Sequence, residues 1–138
     1  MRKREIIGLL AVLVSIVLFA CAPAGPNMKE GLWEITTKME IPGMPMQFPP
    51  QTHTQCLTQT DLVPTSVEPD QDCKVVKKDI KGDTVTWVMK CKTSEGTAVL
   101  NGRITYQGET FEGVVKVEQG DTEITQTMSG RWIGTCEE

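Results

Sequence analysis

The strongest constraint on this chain is that its successive apolar alternations agree about which face is buried. Between residues 98 and 128 apolar side chains recur at every second position, and turn-forming residues interrupt the run at regular intervals, the pattern of antiparallel strands joined by tight turns. A two-residue turn at Gln107 and Gly108 places Ile104 opposite Phe111, Gly102 opposite Gly113, Leu100 opposite Val115 and Ala98 opposite Val117. A turn at Gly120 and Asp121 then sets Val117 against Ile124, Val115 against Gln126 and Gly113 against Met128. The same face continues, with Gln126 as its polar exception. A one-residue slip in either hairpin would send these side chains to solvent, so the pattern selects its own register.

Upstream, Val85, Trp87, Met89 and Cys91 share one face of a strand whose partner spans residues 73–80. A three-residue loop of Lys81, Gly82 and Asp83 sets Cys73 opposite Cys91 and Val75 opposite Met89, a spacing that suits a disulfide. Cys56 then pairs with Cys136 by elimination. Two earlier strands cover residues 31–39 and 51–57. The segment between them holds Pro42, Pro45, Pro49 and Pro50 and must be a loop, because proline cannot donate to a sheet ladder. Residues 58–63 fit one helical turn, with Thr60 as its cap and Pro64 as its stop. The expected fold is all-β: an antiparallel meander of about seven strands forming a curved sheet or a small barrel, stapled by two disulfides.

The N-terminus carries a different signal. Arg2, Lys3 and Arg4 precede an uncharged stretch from residue 6 to residue 20, which falls short of the roughly 20 residues a membrane span needs. The stretch ends in Leu18-Phe19-Ala20-Cys21, which resembles a bacterial lipoprotein signal. That resemblance implies cleavage before Cys21 and acyl chains on its sulfur and new amino group. The expected organisation is a signal peptide over 1–20, a lipidated Cys21 and short tether over 21–30, and one β domain over 31–138. The stretch from Ala22 to Asn27 is small and turn-prone, with nothing to bury. Two or three acyl chains, at about 0.8 kcal/mol per buried methylene, would make the membrane a lasting partner. Ala22, where an Asp would favour inner-membrane retention, implies by the same resemblance the periplasmic face of the outer membrane of a bacterial cell envelope.

Export to an oxidising compartment makes paired thiols the default for the four domain cysteines, and none has CxxC spacing. Without Arg2, Lys3, Arg4 and Glu5 the chain keeps 11 basic and 17 acidic side chains. That balance argues against nucleic acid as a partner.

Candidate chemistry is sparse. His53 is the only histidine, so any Ser-His-Asp or Cys-His nucleophile must use it. Its parity opposes that of Cys56, so if Cys56 faces the core, His53 faces away. Met39, Met44 and Met46 lie near His53 in sequence, and thioethers with an imidazole can bind copper; a flexible proline-rich loop uses methionine equally well as filler. Trp33, Trp87 and Trp132 could line an apolar cavity or simply fill the core. Gly102 opposite Gly113 would leave a gap, either a bend or room for a ligand. Glu34 and Arg131 would form an ion pair if the first and last strands are neighbours. Glu109, Glu112, Asp121 and Glu123 sit at solvated turns, and the sequence carries no HExxH, GxSxG, Ca loop or phosphate-cradling Gly motif.

Gly31-Leu32-Trp33-Glu34, Pro42-Gly43-Met44-Pro45, Thr54-Gln55-Cys56-Leu57, the spaced Cys73 and Cys91, and the run from Gly130 to Cys136 appear in this order. With them the chain resembles the bacterial domain of unknown function 3617 family, which implies a small, exported, cysteine-paired domain and supplies no mechanism. No cofactor and no catalysis are expected. The expected role is structural or binding at the periplasmic membrane surface, with a protein or small-molecule partner left open. A small apolar ligand or copper is the alternative.

Overall fold

The computed structural model describes residues 25–64 and 71–137; the signal segment and Cys21 lie outside them. Seven antiparallel strands make one sheet: β1 (Gly31–Glu40), β2 (Gln51–Leu57), β3 (Asp72–Lys81), β4 (Thr84–Thr93), β5 (Gly96–Tyr106), β6 (Thr110–Gln119) and β7 (Thr122–Gly134). Their order is β2-β1-β7-β6-β5-β4-β3. Strands β3 to β7 are a meander, and β1 docks on β7 and carries β2 outside it. The sheet curls into a half-barrel whose edges, β2 and β3, are not hydrogen-bonded to each other. Between Leu57 and Asp72 the chain crosses from one edge to the other.

The expected inner face is the buried one. Val85, Trp87, Met89 and Cys91 are buried on β4, and Ala98, Ile104 and Tyr106 on β5. One end of the curl is closed by Trp33, Tyr106 and Phe111, whose ring centroids lie 5.5 to 5.9 Å apart. Such aromatic pairs contribute about 0.5–1.5 kcal/mol each beyond the area they bury. The Tyr106 hydroxyl donates to the Leu62 carbonyl at 2.7 Å, pinning buried Leu62 and Val63 beneath the sheet. Burial pushes the Tyr106 phenol well above its ordinary value, and the negative charge of Asp61 adds to the shift.

The ordered fold begins before Gly31. Met28 is buried, and so is Pro26, the latter against the expectation that the stretch from Ala22 to Asn27 has nothing to bury. The Gly108 amide donates to the Asn27 carbonyl at 2.7 Å and the Lys29 amide to the Gly108 carbonyl at 3.0 Å.

Three local expectations need correction. The β6–β7 register is as expected, with Val117 opposite Ile124 and Gly113 opposite Met128. The β5–β6 register is displaced by two residues: Ile104 faces Gly113, Gly102 faces Val115 and Tyr106 faces Phe111. The turn residues are therefore Gly108 and Glu109, because Gly108 has φ +75° and the first central position of such a turn favours a glycine. A shift of two keeps every side chain on its face, so the core is unchanged. On the β3–β4 hairpin Cys73 does face Cys91 and Val75 faces Met89, yet the extra residue is not in the loop. It forms a bulge at Val76, and the turn shortens to Gly82 and Asp83. Residues 58–61 form a tight turn with hydrogen bonds in both directions between Thr58 and Asp61, not a helical turn.

The gap expected between Gly102 and Gly113 does not exist. A Cβ on Gly102 would fall 2.1 Å from the Trp87 indole, and one on Gly113 would fall 2.6 Å from Ile104 Cγ2. Each glycine is a seat for a large neighbour. Gly102→Val should displace Trp87 and cost about 1–3 kcal/mol, seen as a lowered denaturation midpoint; an unchanged midpoint would contradict this packing.

Both disulfides are in place. Cys73–Cys91 has a Cα separation of 4.0 Å on the inner face, and Cys56–Cys136 one of 5.7 Å. The second ties exposed Cys56 to the chain beyond β7 and brackets Leu32, which pairs with both Cys56 and Gly134. Loop-closure entropy scales with the 80- and 18-residue separations, giving about 4.5 and about 3 kcal/mol respectively. Chemical denaturation should therefore show the Cys56→Ser/Cys136→Ser pair losing more stability than Cys73→Ser/Cys91→Ser.

Candidate functional site

The closed end fills only part of the curl. Towards the β4–β5 and β6–β7 turns the inner face opens into a cavity of about 360 Å³, at the lower end of the roughly 300–1,000 Å³ typical of ligand pockets. Its walls differ. Trp87, Met89, Ala98, Leu100, Val115 and Val117, from β4, β5 and β6, make an apolar wall. Thr37, Gln51, His53 and Gln126, from β1, β2 and β7, make a more polar one, interrupted by Met39 and Met128. At the rim Gln119 Nε2 donates to Thr93 Oγ1 at 2.9 Å, linking the two turns. Among the described residues no Asp, Glu, Lys or Arg lines the cavity.

Two atoms distinguish the polar wall. Thr37 Oγ1 and His53 Nε2 are buried without a hydrogen-bond partner. An unpaired buried polar atom costs about 1–3 kcal/mol. The strand pairing explains their closeness: Thr37 faces Gln51 and Ile35 faces His53, so Thr37 and His53 are diagonal neighbours on one face.

The parity argument is right about His53 and Cys56 and inverted in direction. Cys56 is exposed and His53 turns inward, because Cys56 meets its partner on the outer side of β1. Of the copper candidates, Met39 and His53 line the cavity. Met44 and Met46 are 58% and 72% exposed on the proline loop and share only an outer recess with Met39. Neither that recess nor the cavity is lined by all four. Met89 and Met128, not among the candidates, line the cavity with Met39. Of the tryptophans only Trp87 does so; Trp33 is in the closed end, and Trp132 stacks under Lys29 Nζ at 3.5 Å. Glu34 and Arg131 do pair at 2.8 Å, on the outer face and partly in solvent, where such contacts contribute little.

Two larger recesses differ in kind. One of about 750 Å³ follows the outer face past Lys38, Arg103 and Glu112, the other of about 700 Å³ lies against the proline loop. Both are bounded on one side by outward-pointing or loop residues and hold no unpaired buried polar atom. Gln126 was the available sign of the cavity in the sequence: a polar side chain at an inward position of an otherwise apolar stripe.

The family described as Protein of unknown function (DUF3617) matches residues 28–136. The chain belongs to this family. The match starts at Met28, which packs in the core, and ends at Cys136, so the DUF3617 unit is the disulfide-closed half-barrel itself. Neither the curated proteins nor the solved structures contain a match to the chain.

The unpaired hydroxyl makes a direct test of the wall. Thr37→Val keeps the shape and removes the orphan atom, so it should raise stability by on the order of 1 kcal/mol, read from the denaturation midpoint. A fall would mean that Oγ1 already has a partner.

Proposed function

We propose that this DUF3617 protein is a lipid-anchored envelope protein that holds a small, largely apolar ligand in the open half of its curled sheet. The observation that carries the reading is the cavity: an apolar wall facing a polar one that contains two unpaired buried atoms. Binding fits this wall better than catalysis does, since among the described residues His53 is the only ionisable side chain on it and general acid–base work calls for a positioned partner. A structural role would account for the half-barrel and its staples but leaves the unpaired atoms unexplained.

The anchor at Cys21 rests on the sequence signal, and the fold gives it a consistent geometry. Residues 26–30 lie at the closed end, beside the turn at Gly108. Three residues separate Cys21 from Gly25, four Cα-to-Cα steps with a reach of at most about 14 Å. Strand β1 then rises roughly 33 Å towards the mouth. An anchored domain would turn its closed end to the bilayer and its mouth into the periplasm, so the ligand would arrive from the aqueous side.

Native mass spectrometry of the protein purified from its own membrane, compared with the same sample denatured, tests the proposal. We expect a mass beyond the polypeptide and acyl chains that is lost on denaturation. Equal masses, together with no uptake of apolar probes, would leave the structural reading as the better one.

A further inference from the structure

The chemistry of the polar wall narrows the ligand class. Thr37, Gln51, His53 and Gln126 all offer O–H or N–H groups, and among the described residues no carboxylate lines the cavity to repel an anion. Thr37 and His53, diagonal on adjacent strands, have α-carbons about 7–8 Å apart, a separation that lets both side chains converge on one two-oxygen head group. Thr37 Oγ1 and His53 Nε2 are themselves closed off from solvent, so a group seated on the wall meets them only once their side chains rotate about their χ bonds; the imidazole χ2 torsion is soft. Opposite them the β4–β6 wall is hydrocarbon, sulfur and indole up to the Thr93–Gln119 rim. Among the described residues the cavity is therefore mixed on one side, where Met39 and Met128 flank these polar groups, and apolar on the other below its Thr93–Gln119 rim.

We propose that the cavity takes a monocarboxylate amphiphile, a single alkyl chain whose carboxylate accepts hydrogen bonds from Thr37 and His53 and whose tail lies along the β4–β6 wall against Trp87. This rests on the ligand-binding reading above and adds the head-group chemistry to it. The arrangement gives both orphaned atoms the partner that the protein itself withholds. It also explains why a wall that would be more stable as Val and Leu carries a hydroxyl and an imidazole.

The position of Trp87 supplies the measurement. Dodecanoate brominated at its tail, dodecanol brominated likewise and the brominated methyl ester would each be titrated into the full chain in nanodiscs, with quenching of tryptophan fluorescence as the signal. Loss of the quenched component in Trp87→Phe identifies its source. We expect the acid to quench Trp87 with saturation, and the alcohol and ester to bind about tenfold to a hundredfold more weakly, the range of one charge-assisted hydrogen bond. Thr37→Val and His53→Leu, each tested alone, should abolish that preference without lowering the unfolding temperature. Thr37→Val is nearly isosteric and keeps the test in force if the larger change disturbs folding. Equal binding of acid, alcohol and ester to the wild-type chain would overturn the head-group assignment and leave the cavity reading standing. Absence of quenching by all three would overturn both.

Discussion

The hydrogen bond from the Tyr106 hydroxyl to the Leu62 carbonyl spans 44 residues of chain, and the rest of the structure depends on what it joins. A curled open sheet has two edges and an inner face that must be covered. Here the described start of the crossover, residues 58–64, supplies cover, and Tyr106 fixes it at Leu62. Leu62 and Val63 can then bury their side chains in the core cluster that also holds Trp33 and Phe111. Without that contact the half-barrel would be a sheet with an exposed apolar face, which is a site of aggregation.

The two disulfides act on the parts this contact does not reach. β2 has one strand partner, β1, and β3 has one, β4; each edge carries a cysteine bonded to another part of the chain. Cys73–Cys91 holds β3 to β4 just beyond the bulge, where pairing is interrupted. Cys56–Cys136 holds β2 through the chain end beyond β7, reaching across β1. The placement answers a mechanical problem, since the edge strands of an open sheet are the ones that can peel away. Lys74, Lys77 and Lys78 on β3 guard the same edge by charge, as edge lysines commonly do.

Much of this was legible in the residues. The period-two pattern reveals which face each strand buries, and Gly120 with Asp121 places the β6–β7 turn correctly. The failures share a cause. At Gly108 the sequence admits two turns that differ by a slip of two, and periodicity cannot separate them because both bury the same face. At Val76 the spacing shows one surplus residue between Cys73 and Cys91 without showing where it sits. Cys56 and His53 have opposite parity in either orientation, and only the position of Cys136, set by β1 lying between β2 and β7, decides which points inward. Gly102 and Gly113 look like a gap when paired with each other, and become seats for Trp87 and Ile104 once the register moves. The cavity is the least legible feature, since it arises from the curl and from a crossover that plugs one end of it.

Its walls nonetheless follow from a conflict visible at single positions. Of the inward residues on β1, Trp33 and Ile35 are fully buried, and two steps further the alternation delivers Thr37, a residue whose methyl suits the face and whose hydroxyl does not. On β2 the inward sequence is Gln51, His53, Gln55, ending in buried Leu57. The change comes earlier on β2, where Gln55 faces Trp33 and His53 faces Ile35, and only at Thr37 on β1; the two strands are polar together at the Thr37–Gln51 pair, on the wall of the cavity. Sequences that fold well tend to agree with their structure at every level, and local disagreement concentrates where function has a claim. Fold stability alone would favour Val at 37 and Leu at 53, which is why the function is sought at these two positions.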